Sequence, residues 1–225
     1  FDEMTADGTD YGHVAYPVYV ISRKRWAAAT TMALLDKSRI NYSLLVPVAD
    51  LGYYADRFSN ADLLVLPDKS TGAGQARARV HELGKEQGYP YVWILDDDIL
   101  SVEKPDMSQS TLRALMSSLE RWIEDYSNVA LLGVNIGQET NLPFLVNNAV
   151  RGLMLVNLQT GEEFNSMFKL YEDYEFAIQH ILKGWVTVVH NEFHLKFADI
   201  PGGGASGLYI DNDDAEALNK VFPEY

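Results

Sequence analysis

Short apolar runs alternate with amphipathic stretches along the first half of this chain. Continuous runs rich in Val, Leu and Ile are typical of buried strands, whereas apolar residues spaced three and four apart indicate helices. These patterns predict strands at residues 18–21, 42–46, 63–66 and 91–95. They predict helices at residues 26–36, 51–58 and 73–87, the last with Gly88 as its C-cap. Alternating strands and helices indicate right-handed βαβ units and a parallel sheet.

The second half of the chain is less regular. It predicts helices at residues 110–126 and 171–182, strands at residues 129–134 and 185–189, and an extended segment at residues 150–158. The glycine-rich stretch at residues 201–204 predicts either a flap over a ligand or an ordinary mobile loop. Because no repeat or long linker divides the sequence, residues 1–225 are predicted to form one α/β domain with a mostly parallel, Rossmann-like sheet flanked by helices.

Composition narrows the possible functions. The chain has 225 residues, of which 47% are hydrophobic, so a large core can be buried. No apolar stretch approaches the roughly 20 residues of a membrane span, and we expect no membrane partner. The absence of cysteine excludes disulfides and thiolate chemistry and is compatible with a cytoplasmic location. The net charge of −14 argues against non-specific binding to a phosphate backbone.

Three consecutive carboxylates, Asp96, Asp97 and Asp98, follow the predicted strand at residues 91–95. Ligands of open parallel sheets bind at the carboxyl ends of the strands. No Lys or Arg is adjacent to compensate the three charges, so we expect a hard divalent cation, Mn²⁺ or Mg²⁺, that also bridges phosphates. Asp98 is the expected direct ligand, with Asp96 nearer the ribose or a metal-bound water. The alternative is a solvated acidic turn that ends the strand.

Two upstream segments supply candidates for donor binding. Gly74 and Arg77 lie in the first turn of a predicted helix, where free N–H groups, a close backbone approach and a bidentate guanidinium suit a diphosphate. Alternatively, this is an ordinary helix start with Arg77 in a surface ion pair. Ser22, Arg23 and Arg25 follow the first predicted strand, so they reach the same edge of the sheet as the aspartates. They are candidates for contacts with nucleotide phosphate or base, or they form a solvated helix start.

The second half contributes candidates for catalysis. Glu172 and Asp173 open a predicted helix, where acidic residues are favoured by the helix dipole; equally, Asp173 could be the general base for an acceptor hydroxyl. His190 ends the last predicted strand, and His194 follows it. Either imidazole could complete the ligand shell begun by Asp98. We prefer His194, because a loop would give it freedom to fold back.

Taken in order, these motifs resemble the GT-A glycosyltransferase superfamily. The matching segments are Gly74-Gln75-Ala76-Arg77, Tyr91-Val92-Trp93-Ile94-Leu95-Asp96-Asp97-Asp98, Glu172-Asp173 and a late His. The resemblance implies that Asp96 and Asp98 bind the metal and the nucleotide-sugar donor. It further implies that Asp173 is the base of an inverting transfer and that His194 is a metal ligand. We expect about residues 16–98 to bind the donor, about residues 99–210 to bind the acceptor, and residues 211–225 to form an acidic tail.

Two further segments are similar to the TET-associated glycosyltransferases of bacteriophages: Tyr16-Pro17-Val18-Tyr19-Val20-Ile21-Ser22-Arg23 and residues 196–204. This resemblance implies a UDP-sugar donor and, as acceptor, the hydroxymethyl group of 5-hydroxymethylcytosine in DNA, on a base flipped out of the stack, in the host cytoplasm. The candidates for the acceptor site, or else for hydrogen bonding within a loop, are Asn147, Asn148 and Arg151. Three alternatives stay open. Transfer to a glycan or protein hydroxyl suits the acidic chain better. Nucleotidyl transfer also uses paired carboxylates and a divalent metal, and a non-catalytic sugar-nucleotide-binding module is the third alternative.

Overall fold

The computed structural model describes residues 12–59, 61–67, 72–137, 140–199, 216, 218, 220 and 222. The predicted flap at residues 201–204 lies outside the described residues, as does most of the predicted tail. None of the helices in the described ranges is both long and apolar enough to cross a membrane.

One mixed sheet runs through the described residues. Its strands are β1 (Val18–Ile21), β2 (Ser43–Pro47), β3 (Asp62–Leu66), β4 (Tyr91–Asp96), β5 (Ile99–Glu103), β6 (Gln109–Ser110), β7 (Val129–Asn135), β8 (Phe144–Val146), β9 (Leu153–Asn157) and β10 (Val186–Phe197). Their order is β3-β2-β1-β4-β9-β7-β10-β5-β6, and β8 pairs with β10. The strands β3, β2, β1 and β4 are parallel neighbours, as the alternation of strands and helices predicts.

Five helices are described: α1 (Thr31–Lys37), α2 (Leu51–Arg57), α3 (Ala73–Glu86), α4 (Leu112–Ile123) and α5 (Glu172–Leu182). The first helix begins five residues later than predicted, because the N–H groups of Thr30 and Thr31 donate to the Asp97 carbonyl at 2.9 and 3.2 Å. Helix α4 begins where the Thr111 side chain accepts a hydrogen bond from the Ala114 N–H.

The two faces of the sheet bury separate hydrophobic clusters. Successive strand residues point to opposite faces, so Trp93 belongs to the cluster beneath α1, α2 and α4, and Ile94 to the cluster beneath α3 and α5. On the second face, Val80 of α3 and Phe176 of α5 are fully buried. This packing places the start of α3 and the start of α5 on the same side of the sheet.

Several strand predictions need correction. The strand predicted at residues 185–189 continues to Phe197, and β5, β6 and β8 were not predicted. The extended segment predicted at residues 150–158 becomes a strand only from Leu153, since Gly152 has a φ of +74°. The mostly parallel sheet contains a reversal, because β9 runs antiparallel to both β4 and β7.

Candidate active site

The carboxyl ends of β1 and β4 lie side by side, since Ile21 pairs with Asp96 in parallel register. The next residues are therefore neighbours, and the Ser22 hydroxyl donates a hydrogen bond to Asp97 Oδ2. Ser22 and Asp97 are 7% and 4% exposed. The structure thus brings together the two strand ends that the sequence predicts at one edge of the sheet.

The aspartate triplet has a compensating cation. One terminal nitrogen of Arg25 donates to Asp97 Oδ1 at 3.0 Å and to Asp98 Oδ2 at 2.7 Å. The expectation that no Lys or Arg compensates the triplet is wrong, because the turn after β1 carries Arg25 to carboxylates 72 and 73 positions further along the chain.

Burial has the largest effect on the pKa values of Asp97 and Asp98. Burial raises the pKa of Asp97 to about 6, although the hydrogen bond from Ser22 and the charge of Arg25 favour the ionised form. Burial and then the charge of Asp96 raise the pKa of Asp98, and Arg25 opposes both. The carboxylates therefore depend on a nearby positive charge to stay ionised.

A second arginine joins the two halves of the site. Arg77 donates from one nitrogen to Asp96 Oδ1 at 2.9 Å and from another to Glu172. Arg77 and Glu172 are each 4% exposed, so the alternative of a surface ion pair is wrong. Arg77 connects the triplet after β4 to the first turn of α5.

Gly74 allows helix α3 to pack closely against the loop before α5. A Cβ atom at Gly74 would lie 2.3 Å from the Phe168 carbonyl oxygen and 3.1 Å from that of Asn165. The close backbone approach expected here for phosphate is therefore an approach of α3 to the loop before α5.

Asp173 lies next to this connection. Burial raises its pKa, the positive charges of Arg77 and Arg151 lower it, and the charge of Asp96 raises it. The Arg151 guanidinium lies 5.6 Å from the centre of the Tyr174 ring, within the range of a cation–π contact. The candidate base thus lies in a desolvated position between two arginines and the triplet.

Both histidine candidates lie away from the triplet. His194 is in β10 opposite Glu103, whereas Phe197 is opposite Ile99. Glu103 and Ile99 are four positions apart in β5, which is about 13 Å along a strand. The expectation of a loop that lets His194 fold back is wrong, because this segment is held in the sheet. His190 packs against the Trp122 ring, with centroids 5.6 Å apart.

The remaining candidates have varied positions. Asn147 is exposed, and its backbone N–H donates to the Thr187 carbonyl at 2.7 Å. The Asn148 carbonyl accepts a bond from the Thr187 hydroxyl, in line with the alternative of hydrogen bonding within a loop. Arg23 is half-buried at the turn after β1.

Two residues that support the site were not predicted. The buried Tyr54 hydroxyl contacts Ser22 Oγ and accepts a bond from the Arg25 N–H at 3.1 Å. Thr31 Oγ1 donates to the Asp96 carbonyl at 2.6 Å and accepts from the Ile99 N–H at 2.9 Å, so it fixes the turn that carries the triplet. Tyr54 has the sequence pattern of an ordinary core residue, and nothing in the sequence distinguishes Thr31.

The chemistry of the triplet suits a hard divalent cation. Carboxylate oxygens such as those of Asp96 and Asp98 are preferred ligands of Mg²⁺ and Mn²⁺. Within the described residues, no three His, Asp or Glu side chains are grouped to hold an ion, and Arg25 lies between two of the carboxylates. The Arg25 Nε is buried and has no hydrogen-bond partner in this part of the chain. Asp96 and Asp98 therefore supply oxygen ligands of the kind that a divalent cation prefers, and the Arg25 guanidinium lies between Asp97 and Asp98.

Comparisons with known proteins give one family and several distant structures. No curated protein matches the chain. HddC from Yersinia pseudotuberculosis is 14% identical, with 92% of this chain and 100% of that chain covered and a TM-score of 0.49. A197 from STIV is 12% identical, with coverage of 83% and 87% and a TM-score of 0.49. The inositol-1-phosphate CTP transferase from T. maritima is 10% identical, with coverage of 94% and 98% and a TM-score of 0.46.

The family match is extensive. The model of the family described as TET-Associated Glycosyltransferase matches residues 16–204. This range contains β1, the aspartate triplet, Arg77 and the Glu172–Asp173 pair. The chain therefore belongs to the TET-associated glycosyltransferase family and is a glycosyltransferase.

Proposed function

We propose that this glycosyltransferase moves a sugar from a UDP-sugar to the hydroxymethyl group of 5-hydroxymethylcytosine in DNA, with inversion at the anomeric carbon. The observation that carries the proposal is the pair of bonds from Arg77 to Asp96 and to Glu172. They hold the end of β4, where a donor would bind, against the helix turn that carries Asp173. In this proposal the donor site and the candidate base therefore lie side by side.

The donor side is formed by the turns after β1 and β4. Ser22 and Asp97 hold the two turns together, and Arg25 and Arg77 supply positive charge for a diphosphate. A divalent cation, Mn²⁺ or Mg²⁺, held by Asp98 and Asp96 would add charge that stabilises the departing diphosphate. The hydrogen bonds of Ser22, Asp97 and Arg77 fix these three side chains in advance, which limits reorganisation during transfer.

The transfer itself requires one base. As the acceptor oxygen bonds to the anomeric carbon, the bond from that carbon to the diphosphate breaks, UDP departs, and the hydroxyl proton passes to Asp173. Burial raises the pKa of Asp173, which makes it a stronger proton acceptor than an exposed aspartate. The positive charges of Arg77 and Arg151 act in the opposite direction and favour the ionised carboxylate.

The acceptor side is supported by the family and by Arg151 with Tyr174. Tyr174 is 37% exposed, so an aromatic surface and a cation lie beside Asp173. A flipped base could stack there. The net charge of −14 favours a second candidate, transfer to a hydroxyl of a glycan or protein, which needs no basic surface.

A donor screen tests the proposal. The protein is incubated with UDP-sugars, Mn²⁺ and either hydroxymethylated or unmodified DNA, and the nucleosides are analysed by mass spectrometry. We expect a hexose on 5-hydroxymethylcytosine and stoichiometric UDP. Asp173→Asn should retain UDP binding and lose transfer by at least about 100-fold.

The exposed Arg79, on the same helix as Arg77, provides the matched control Arg79→Gln, which should transfer normally. In a parallel incubation with UTP and a sugar 1-phosphate, release of pyrophosphate would identify a nucleotidyl transfer. A glycosylated glycan or protein with unchanged DNA would identify the second candidate.

A further inference from the structure

Arg25 holds two carboxylates with a single nitrogen. The same terminal nitrogen lies 3.0 Å from Asp97 Oδ1 and 2.7 Å from Asp98 Oδ2. A positive charge placed between two carboxylates in this way occupies a position that a metal cation would otherwise favour. Arg25 therefore neutralises the carboxylate that the proposed function assigns to the divalent cation.

The hydrogen bonding of Arg25 is incomplete in this position. Its Nε is buried without a partner among the described residues, and its two carboxylate bonds share one donor nitrogen. A guanidinium can donate five hydrogen bonds and prefers a planar, bidentate acceptor. A diphosphate bound at the carboxyl ends of β1 and β4 would offer such an acceptor.

Arg77 provides a contrast within the same site. It uses separate nitrogens for Asp96 and for Glu172, and its side chain is 5% exposed against 13% for Arg25. Arg77 also has a buried Nε without a partner in the described ranges, so its N–H too can donate to a further ligand atom. Arg77 is the more buried arginine and holds its two partners with separate nitrogens, whereas Arg25 holds both carboxylates with one nitrogen and is the arginine that we expect to move.

We propose that Arg25 couples donor binding to cation binding: in the free protein it neutralises Asp97 and Asp98, and a bound nucleoside diphosphate draws it away and releases Asp98 for a divalent cation. This inference rests on the proposed function, because it concerns the same donor site. A cation that binds alone must displace Arg25, whereas a cation that binds with UDP finds Asp98 free. Each ligand therefore strengthens the binding of the other, and the effect is reciprocal.

Binding measurements on the whole chain test the coupling. Mn²⁺ binding is measured by electron paramagnetic resonance of the free ion, with and without UDP, for the wild type and for Arg25→Gln. We expect UDP to strengthen Mn²⁺ binding by at least about 100-fold in the wild type and by about tenfold less in Arg25→Gln. The loss arises because Mn²⁺ binding without UDP becomes tighter in the variant.

Two further variants control for charge and for folding. Arg79→Gln removes one positive charge from an exposed ion pair and should preserve the wild-type coupling. Arg25→Lys keeps the charge and can replace the single nitrogen, so it should keep the coupling to within about threefold. Thermal melting of each variant shows that the protein is folded at the temperature of the assay.

The outcomes separate the two proposals. An equal effect of UDP in the wild type and in Arg25→Gln would overturn the coupling role and leave the transferase function standing. An equal increase in Mn²⁺ affinity with and without UDP would do the same, since it indicates a simple electrostatic effect. If the wild type binds no Mn²⁺ even with UDP, both the proposed donor site and this inference are overturned.

Discussion

Replacement of Arg77 by methionine should cause a large loss of stability. Methionine retains part of the apolar stem but leaves Glu172, which is 4% exposed, without a counter-charge. Removing one partner of a buried ion pair costs about 3–5 kcal/mol of the free energy of unfolding. In a chain of 225 residues, this corresponds to a fall in melting temperature of roughly 6–20 °C.

The loss should depend on pH, and its sign follows from the charge. A buried carboxylate without a partner takes up a proton, so the folded variant binds more protons than the unfolded chain. The stability of Arg77→Met, relative to the wild type, should therefore improve as the pH falls from about 7 to about 5. The double variant Arg77→Met/Glu172→Gln should regain part of the loss at neutral pH, because the uncompensated charge is gone.

Urea unfolding followed by circular dichroism measures these differences. Arg79→Met is the matched control, since Arg79 lies on the same helix and forms exposed ion pairs with Glu82 and Glu86 at 2.9 and 3.1 Å. Its loss should stay below about 1 kcal/mol. The reasoning is refuted if Arg77→Met is no less stable than Arg79→Met, or if its deficit grows as the pH is lowered.

Three further predictions concern packing, proton transfer and the cation. Gly52→Ala should stabilise the protein by about 0.5–1 kcal/mol, because a Cβ at this position in α2 contacts nothing within 4 Å. Gly74→Ala should destabilise the protein, because its Cβ would lie 2.3 Å from a carbonyl oxygen. Urea unfolding that changes the stability of both variants in the same direction would contradict this prediction. The rate of transfer at saturating donor should fall as the pH drops through the raised pKa of Asp173. Arg151→Gln should move this fall to higher pH, because it removes a positive charge that lowers this pKa. A pH–rate profile that is unchanged in the variant would argue against Asp173 as the base. Asp98→Ala should bind Mn²⁺ at least about 100-fold more weakly in the presence of UDP. Its melting temperature should stay within a few degrees of the wild-type value. Calorimetry that finds undiminished Mn²⁺ binding would exclude Asp98 as a ligand.

The position of the triplet could be predicted because it depends on local pattern. The apolar run before Asp96 identifies a buried strand, and a helix between two strands returns the chain so that the strands run parallel. The placement of Ser22 beside Asp97 follows from the same rule applied to β1 and β4. Both inferences need only the ends of parallel strands, which the sequence marks clearly.

The two arginine contacts could not be predicted from the sequence. Arg25 meets Asp98 across 73 positions, and Arg77 meets Glu172 across 95. Such contacts depend on how a turn folds over the sheet edge and how closely two helices approach, and neither leaves a periodic signal. A basic residue after a strand is equally compatible with solvent, a ligand or a buried carboxylate.

The sequence contains a pattern that predicts the extension of β10 beyond residue 189. Asn191, Phe193 and Leu195 are buried, whereas Glu192 and Lys196 between and after them are exposed. This alternation has the period of a strand, but the polar residues around His190 were interpreted as a loop. The direction of β9 had no such signal, because a buried apolar run is the same in either direction.

The reversal of β9 brings the connection between β7 and β9 to the edge of the sheet where the triplet lies. Because β9 is antiparallel to β4, the chain enters it at the edge where the triplet lies, and the Asp96 N–H donates to the Gly152 carbonyl at 2.8 Å. Arg151 lies just before β9, whereas Ser22 and Asp97 follow β1 and β4. If Arg151 lies on the acceptor side as proposed, changes in the length or sequence of the connection between β7 and β9 should alter the choice of acceptor more than the choice of nucleotide.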